Sequence, residues 1–192
     1  MLNKFLILIL LTGLAMADEM QKIEDYLNSL KNVTADFVQT DNQDNQQKGK
    51  FFLSRPGKMR WQYEFPKKVL LIINHDKLIH FDQQLDQVSY FKNKDDFLIL
   101  LTQPKIDFSN ALITADKSIS KGKNILLTLY KKNYPGKIIL IFNNSITKLL
   151  GFEMIDETNQ KIMVEFTNLE QVKSLDKQLF IFHNHKHQNL KR

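Results

Sequence analysis

Strand-length apolar runs separated by turn-forming segments constrain the fold of this 192-residue chain more than any other feature. The runs recur about every ten residues from Val33 onward, a spacing typical of all-β folds. Segments such as Asn74-His75-Asp76 and Tyr134-Pro135-Gly136 lie between them, and Pro, Gly, Asn and Asp favour turns. We therefore predict an antiparallel meander rather than βαβ units. The expected strands begin at Val33 and Phe51 and cover residues 59–64, 69–73, 77–81, 87–91, 124–130, 137–142, 147–155, 161–167 and, as a short strand, 179–182.

Two segments depart from this pattern and predict helices. Residues 18–32 place apolar side chains three and four positions apart, which is the spacing of one helix face. Residues 95–115 interrupt the meander, and we expect two short helices there, broken at Pro104. A buried strand over residues 97–101 is the alternative, because short apolar runs suit both structures.

The polar residues 41–48 are expected to form a solvated loop.

The first 17 residues have the features of a secretory signal. Lys4 precedes an apolar run from Phe5 to Leu14, and the small residues of Ala15-Met16-Ala17 follow it as a cleavage site. The run is shorter than the roughly 20 residues that span a bilayer. We expect a cleaved signal over residues 1–17 and a single soluble exported domain over residues 18–192. The chain has no cysteine, which excludes disulfides and a lipid anchor on an N-terminal cysteine.

Charge and motifs exclude several function classes. The formal net charge is +6, but the lysines are scattered along the chain, whereas a nucleic-acid site is a patch or stripe. No nucleotide-binding or common hydrolase motif occurs, and we predict no catalytic residue, metal or cofactor. His183, His185 and His187 alternate near the C-terminus, where a metal site is one interpretation. A loose tail over residues 183–192 is the one we favour, because termini are commonly loose.

The apolar content has two interpretations. The chain has 14 Phe, 1 Trp, 5 Tyr and 6 Met, more than a sheet covered on one side would bury. A large barrel or sandwich core would account for them. A cavity lined for an apolar ligand would also do so, since methionine adapts to acyl chains and aromatic rings give rigid walls.

Residues 49–66 read GKFFLSRPGKMRWQYEFP, and this segment resembles the outer-membrane lipoprotein carrier protein family, LolA. Residues 33–40 and 69–81 resemble the strands that flank this segment in the family. The resemblance implies a mainly β (α+β) fold: an incomplete antiparallel β-barrel, or half-barrel, whose apolar concave face is covered by a lid of short α-helices. It also implies a monomeric, non-enzymatic, soluble periplasmic carrier that shields the acyl chains of lipoproteins. Its implied partners are acylated lipoproteins, an inner-membrane LolCDE-like ABC transporter and a LolB-like outer-membrane receptor.

The same resemblance implies roles for particular residues. Arg55 matches the arginine that latches the closed lid through hydrogen bonds to lid backbone, with partners expected around Leu27, Leu100 and Leu101. The residues expected to line the acyl-chain cavity are Phe37, Met59, Trp61, Phe97, Leu98 and Leu100. From the residues alone, Arg55 could also lie in a solvated turn, and the apolar positions could be ordinary core.

Two features depart from the family pattern. Phe180-Ile181-Phe182-His183 lacks the proline that commonly follows the last strand, and Lys58 with Arg60 makes the cavity mouth more basic than expected. Two alternative functions remain. One is a periplasmic regulator that senses lipid or lipoprotein with the same half-barrel, and the other is a metal-dependent hydrolase that uses the histidine tail.

Overall fold

The computed structural model describes residues 19–93, 96–109, 113–119, 124–131 and 135–183. These ranges contain helix α1 over residues 19–29, helix α2 over Asp96–Thr102 and a 3₁₀ helix over Lys177–Phe180. The strands are β1 Asn32–Asp41, β2 Gln46–Ser54, β3 Lys58–Phe65, β4 Val69–Asn74, β5 Lys77–Asp82, β6 Gln87–Lys92, β7 Ile113–Ile119, β8 Ile125–Lys131, β9 Lys137–Phe142, β10 Leu149–Ile155 and β11 Lys161–Gln171.

The chain divides into two compact units. Unit 1 contains the residues up to Leu30 and Lys105–Lys161, and unit 2 contains Lys31–Pro104 and the residues from Ile162. The strands of unit 2 are hydrogen-bonded in the order β6-β5-β4-β3-β2-β1-β11, and those of unit 1 in the order β10-β9-β8-β7. Every pairing within each unit is antiparallel. The predicted mainly β, antiparallel meander is therefore confirmed.

Alternation of side chains builds the apolar face of unit 2. In β1, Val33, Ala35 and Phe37 are buried while the residues between them are half-buried. The register continues this face from strand to strand, because residues paired across an antiparallel ladder point to the same side. Ala35 pairs with Phe51, which pairs with Trp61.

Helix α1 packs within unit 1. Ile23 and Leu27, one turn apart, are fully buried, and the Tyr26 hydroxyl accepts a 2.8 Å hydrogen bond from the Leu149 amide. The Asn28 side chain donates to the Ile106 carbonyl and accepts from the Ile106 amide, at 2.8 and 2.7 Å. The helix predicted from the apolar stripe is thus observed and is tied to the segment that precedes β7.

Four local predictions are resolved by the structure. The helix over residues 97–101 is α2, so the alternative strand there is wrong. The polar loop is shorter than predicted, because residues 46–48 pair with β1 and only residues 42–45 lie outside strands. The helix predicted beyond Pro104 is wrong at its described C-terminal end, since residues 113–119 pair with β8 as a strand; Ala111 and Leu112 lie outside the described residues.

The fourth local prediction concerns the C-terminal end of the described chain. The strand predicted over residues 179–182 is wrong, because a 3₁₀ helix occupies Lys177–Phe180. The Asp176 carboxylate caps its start by accepting a 2.9 Å hydrogen bond from the Gln178 amide. His183 is exposed and lies 3.1 Å from the Gln178 side chain, while His185 and His187 lie outside the described residues.

Candidate functional site

The turn between β2 and β3 holds the C-terminal end of α2 within unit 2. Arg55 is 9% exposed, and its Nε donates a 2.7 Å hydrogen bond to the Leu101 carbonyl. The Gly57 amide donates to the Thr102 carbonyl at 2.7 Å. The last carbonyls of a helix have no partner within the helix, so these two donors satisfy groups that burial would otherwise leave unpaired.

The charge of Arg55 suits this position. Burial lowers the pKa of its guanidinium to about 10, which leaves the group cationic at neutral pH. A cation at a helix C-terminus is favoured by the helix dipole, and a guanidinium can donate to several carbonyls at once. The structure therefore places the predicted latch residue in contact with Leu101, one of its predicted partners, rather than in a solvated turn.

The remaining predicted latch and lid residues divide between the units. Leu100 and Leu101 are buried in α2, and Leu98 in the same helix is half-buried. The side chain of Phe97 lies outside the described residues. Leu27 is buried in α1, which belongs to unit 1, so its partnership with Arg55 remains a prediction, as does the covering of an apolar face by helices.

A cluster of aromatic rings forms the centre of the apolar face of unit 2. Trp61 lies 4.8 Å from Phe37 and 4.9 Å from Phe51 between ring centroids. Phe166 lies 5.4 Å from Phe51, and Tyr63 packs edge-on against Phe37 at 5.2 Å. These separations are typical of favourable aromatic pairs. The structure thus brings together the predicted cavity residues Phe37 and Trp61.

Sequence reasoning missed three members of this cluster. Phe51 and Tyr63 belong to the hairpin around the Arg55 turn, and an explicit register for that hairpin would have placed Phe51 opposite Trp61. Phe166 is brought in by the pairing of β11 with β1, which joins segments far apart in the chain. No local pattern could have identified it.

Tyr63 keeps a polar group inside this cluster without adding charge. Its hydroxyl donates a 2.8 Å hydrogen bond to the Gln39 side chain. Burial raises the pKa of Tyr63 to about 12, although the indole N–H of the neighbouring Trp61 acts in the opposite direction. The phenol is therefore neutral at physiological pH, and the surface remains suitable for hydrocarbon.

We use the term aromatic face for the side of unit 2 that carries these rings. One row of it runs across six strands through Val33, Leu53, Met59, Ile73, Leu78 and Phe91. Met59, a predicted cavity residue, is 1% exposed, whereas Leu78 is half-buried and Phe91 is 55% exposed. This row therefore changes from closed core at β1–β4 to accessible apolar surface at β5 and β6, while the neighbouring row through Trp61 and Leu71 continues into His80 and Ser89.

Comparisons with known proteins agree with this architecture. The family model described as outer membrane lipoprotein carrier protein LolA matches residues 28–183. The chain belongs to the LolA family. An outer-membrane lipoprotein carrier protein of Legionella pneumophila (strain Corby) is 28% identical over an alignment of 171 residues, and the match covers 83% of each chain.

Other similar proteins extend this comparison. An uncharacterized protein of Rickettsia prowazekii (strain Madrid E) is 23% identical over 86% of this chain and 76% of its own length. The crystal structure of an uncharacterized conserved protein from Thermus thermophilus matches with a TM-score of 0.54 at 10% identity, covering 87% and 96% of the two chains. That structure supports the fold alone. Within the described residues, no helix of this LolA-family chain is long and apolar enough to cross a membrane.

Proposed function

We propose that this chain is a periplasmic carrier that accepts acylated lipoproteins from an inner-membrane LolCDE-like transporter, shields their acyl chains and delivers them to the outer membrane. A LolB-like receptor lipoprotein would accept them there. The observation that carries the proposal is the aromatic face, which contains a buried ring cluster at Trp61 and an apolar row that leads from the buried Met59 to the exposed Phe91. Membership of the LolA family supports the same substrate class.

The free energy of acyl burial explains why such a face is needed. Each methylene group buried from water contributes about 0.8 kcal/mol, so a free lipoprotein in water would leave a large unfavourable exposed area. Aromatic rings and methionine give a surface that contacts hydrocarbon without requiring hydrogen bonds. Accessible positions such as Leu78 and Phe91 would be the first to meet an entering chain.

Release requires that the covering element be weakly held. Helix α2 has seven residues, and isolated helices of that length are unstable in water. Arg55 and Gly57 hold its C-terminal end by hydrogen bonds that each contribute about 1 kcal/mol net. We propose that α2 acts as a lid and that Arg55 is its latch, with Leu27 as a second partner.

A binding experiment tests the proposal with a matched pair of variants. Trp61 is the only tryptophan of the chain, so its fluorescence can report binding of a synthetic triacylated lipopeptide in solution. We expect Phe91→Glu to weaken binding by introducing charge on the aromatic face. Tyr90→Glu is the control, since Tyr90 is 67% exposed on the opposite side of the same strand.

Equal effects of the two substitutions, or no binding by the unaltered protein, would contradict the carrier proposal. Binding without ATP-dependent release of lipoprotein from inner-membrane vesicles that contain the transporter would favour the alternative, a lipid- or lipoprotein-sensing regulator.

A further inference from the structure

A row of lysines crosses one end of the unit 2 sheet. The register aligns Lys58 with Asn74, Asn74 with Lys77, and Lys77 with Lys92. Since neighbouring strands lie about 4.8 Å apart, the row spans roughly 14 Å from β3 to β6. We define these three lysines as the lysine row.

Backbone hydrogen bonds between turns hold the lysine row in line. The His75 amide donates to the Gly57 carbonyl at 2.6 Å, which joins the β4–β5 turn to the β2–β3 turn. The Asn93 amide donates to the Asp76 carbonyl at 2.6 Å, which joins the end of β6 to the same β4–β5 turn. The three lysines therefore extend from a connected end of the sheet.

The register places like charges side by side in this row. Lys77 and Lys92 lie directly opposite each other, and like charges at such positions destabilise a sheet. In the described part of the chain, the ammonium groups of the lysine row take part in no ion pair. The row therefore presents three positive charges, next to the single exposed carboxylate of Asp76 in the β4–β5 turn, to any surface that approaches this end of unit 2.

An exposed aromatic side chain accompanies the charge. Tyr90 is 67% exposed, and alternation along β6 puts it on the same side of the sheet as Lys92. Tyrosine is enriched where membranes meet water, because its ring is apolar and its hydroxyl is polar. A line of lysines beside an exposed tyrosine is suited to phospholipid headgroups.

We propose that the lysine row and Tyr90 dock the carrier on an anionic phospholipid membrane surface. Lysine is depleted from the cores of protein interfaces, where arginine is enriched, whereas each lysine near an anionic membrane contributes to binding. The apolar row that ends at Phe91 lies one residue along each strand from the lysine row. Because adjacent residues of a strand point to opposite sides of the sheet, docking would turn the aromatic face away from the contact and leave it open to acyl chains near the leaflet that supplies or receives them, a purpose that rests on the proposed function.

Vesicle co-sedimentation of the full mature protein without cargo tests the docking by itself. The vesicles are phosphatidylcholine with or without phosphatidylglycerol. We expect binding only to the anionic vesicles, and about 100-fold weaker binding after Lys58→Gln, Lys77→Gln and Lys92→Gln together. The matched control is Lys48→Gln, Lys67→Gln and Lys68→Gln, which removes the same charge from exposed lysines at the other end of β2–β4.

The outcomes separate the proposal from its alternatives. Loss in the lysine-row variant with retention in the control supports it. Equal loss in both variants overturns it in favour of diffuse attraction by net charge. Absence of binding to anionic vesicles also overturns it and assigns the lysine row to an acidic protein surface instead. Lipopeptide binding in solution is measured without vesicles, so failure of the docking proposal and failure of the carrier proposal are distinguishable.

Discussion

At the scale of single residues, Arg55 connects stability with the proposed transfer of cargo. Its guanidinium is buried and donates to the Leu101 carbonyl. A buried group that loses its partner costs more than the net contribution of the bond, because its desolvation is no longer compensated. The residue is therefore expected to affect both the folded state and the closed position of α2.

We predict that Arg55→Leu lowers the free energy of unfolding by about 1–3 kcal/mol and impairs transfer while acceptance of lipoprotein continues. Denaturant unfolding and a two-step transfer assay measure the two effects. Arg55→Lys serves as the control, because it keeps the charge but lacks the planar fork of donors. Normal transfer by Arg55→Leu would show that Arg55 is not a latch.

A second residue-scale prediction concerns Tyr63. Its pKa is raised from 10.0 to about 12 by burial, so the unfolded state loses its phenolic proton at lower pH than the folded state. The stability contributed by this group is complete below pH 10 and is lost as the pH rises toward 12.

Tyr63→Phe should accordingly reduce the loss of unfolding free energy between these pH values. Denaturant unfolding at several alkaline pH values measures it. Tyr130→Phe, at an exposed position, should leave the loss unchanged. An identical pH dependence in all three proteins would contradict the raised pKa.

At the scale of elements, the β2–β3 turn depends on one glycine. Gly57 has φ +79°, and a Cβ built there would collide with the His75 ring. Glycine adopts positive φ readily because it has no Cβ. The same residue donates its amide to Thr102, so the conformation of the turn and the position of α2 are linked.

Gly57→Ala is therefore expected to destabilise the protein by about 1–3 kcal/mol and to loosen α2. In a His75→Ala background the cost should be smaller, because the collision is removed while the backbone strain remains. A double-mutant cycle of unfolding free energies measures the difference. Additive effects of the two substitutions would argue against the collision.

Helix α1 gives a second prediction at this scale. Asn28 pairs with both backbone groups of Ile106, so Asn28→Ala should destabilise unit 1 by about 1–3 kcal/mol and speed amide exchange at Ile106. Ser29→Ala, at an exposed neighbouring position, is the control. Unchanged exchange in Asn28→Ala would show that this pairing does not hold the segment.

At the scale of the whole molecule, the carrier proposal requires that affinity follow the buried length of the acyl chain. Each added methylene should tighten lipopeptide binding about fourfold until the chain exceeds the available face. Calorimetry over a series of chain lengths checks this, with a negative heat-capacity change as the mark of apolar burial. Affinity independent of chain length would contradict acyl binding on the aromatic face.

The sequence by itself determined the local structure wherever one interaction dominates. Alternating apolar residues led to most of the described strands, and the stripe containing Ile23 and Leu27 led to α1, because burial of one face decides both patterns. The motif around Arg55 and Trp61 indicated the family, and with it the importance of the turn that holds α2.

Only the tertiary structure decided the features that depend on pairing between distant segments. The β11–β1 pairing brings Phe166 to the aromatic cluster, and pairing with β8 makes a strand that begins at Ile113, although local spacing favoured a helix up to Ala115. The lysine row likewise exists only in the register of four strands. Hydrogen-bonded pairing adds interactions that no local segment contains, so it can override local preference.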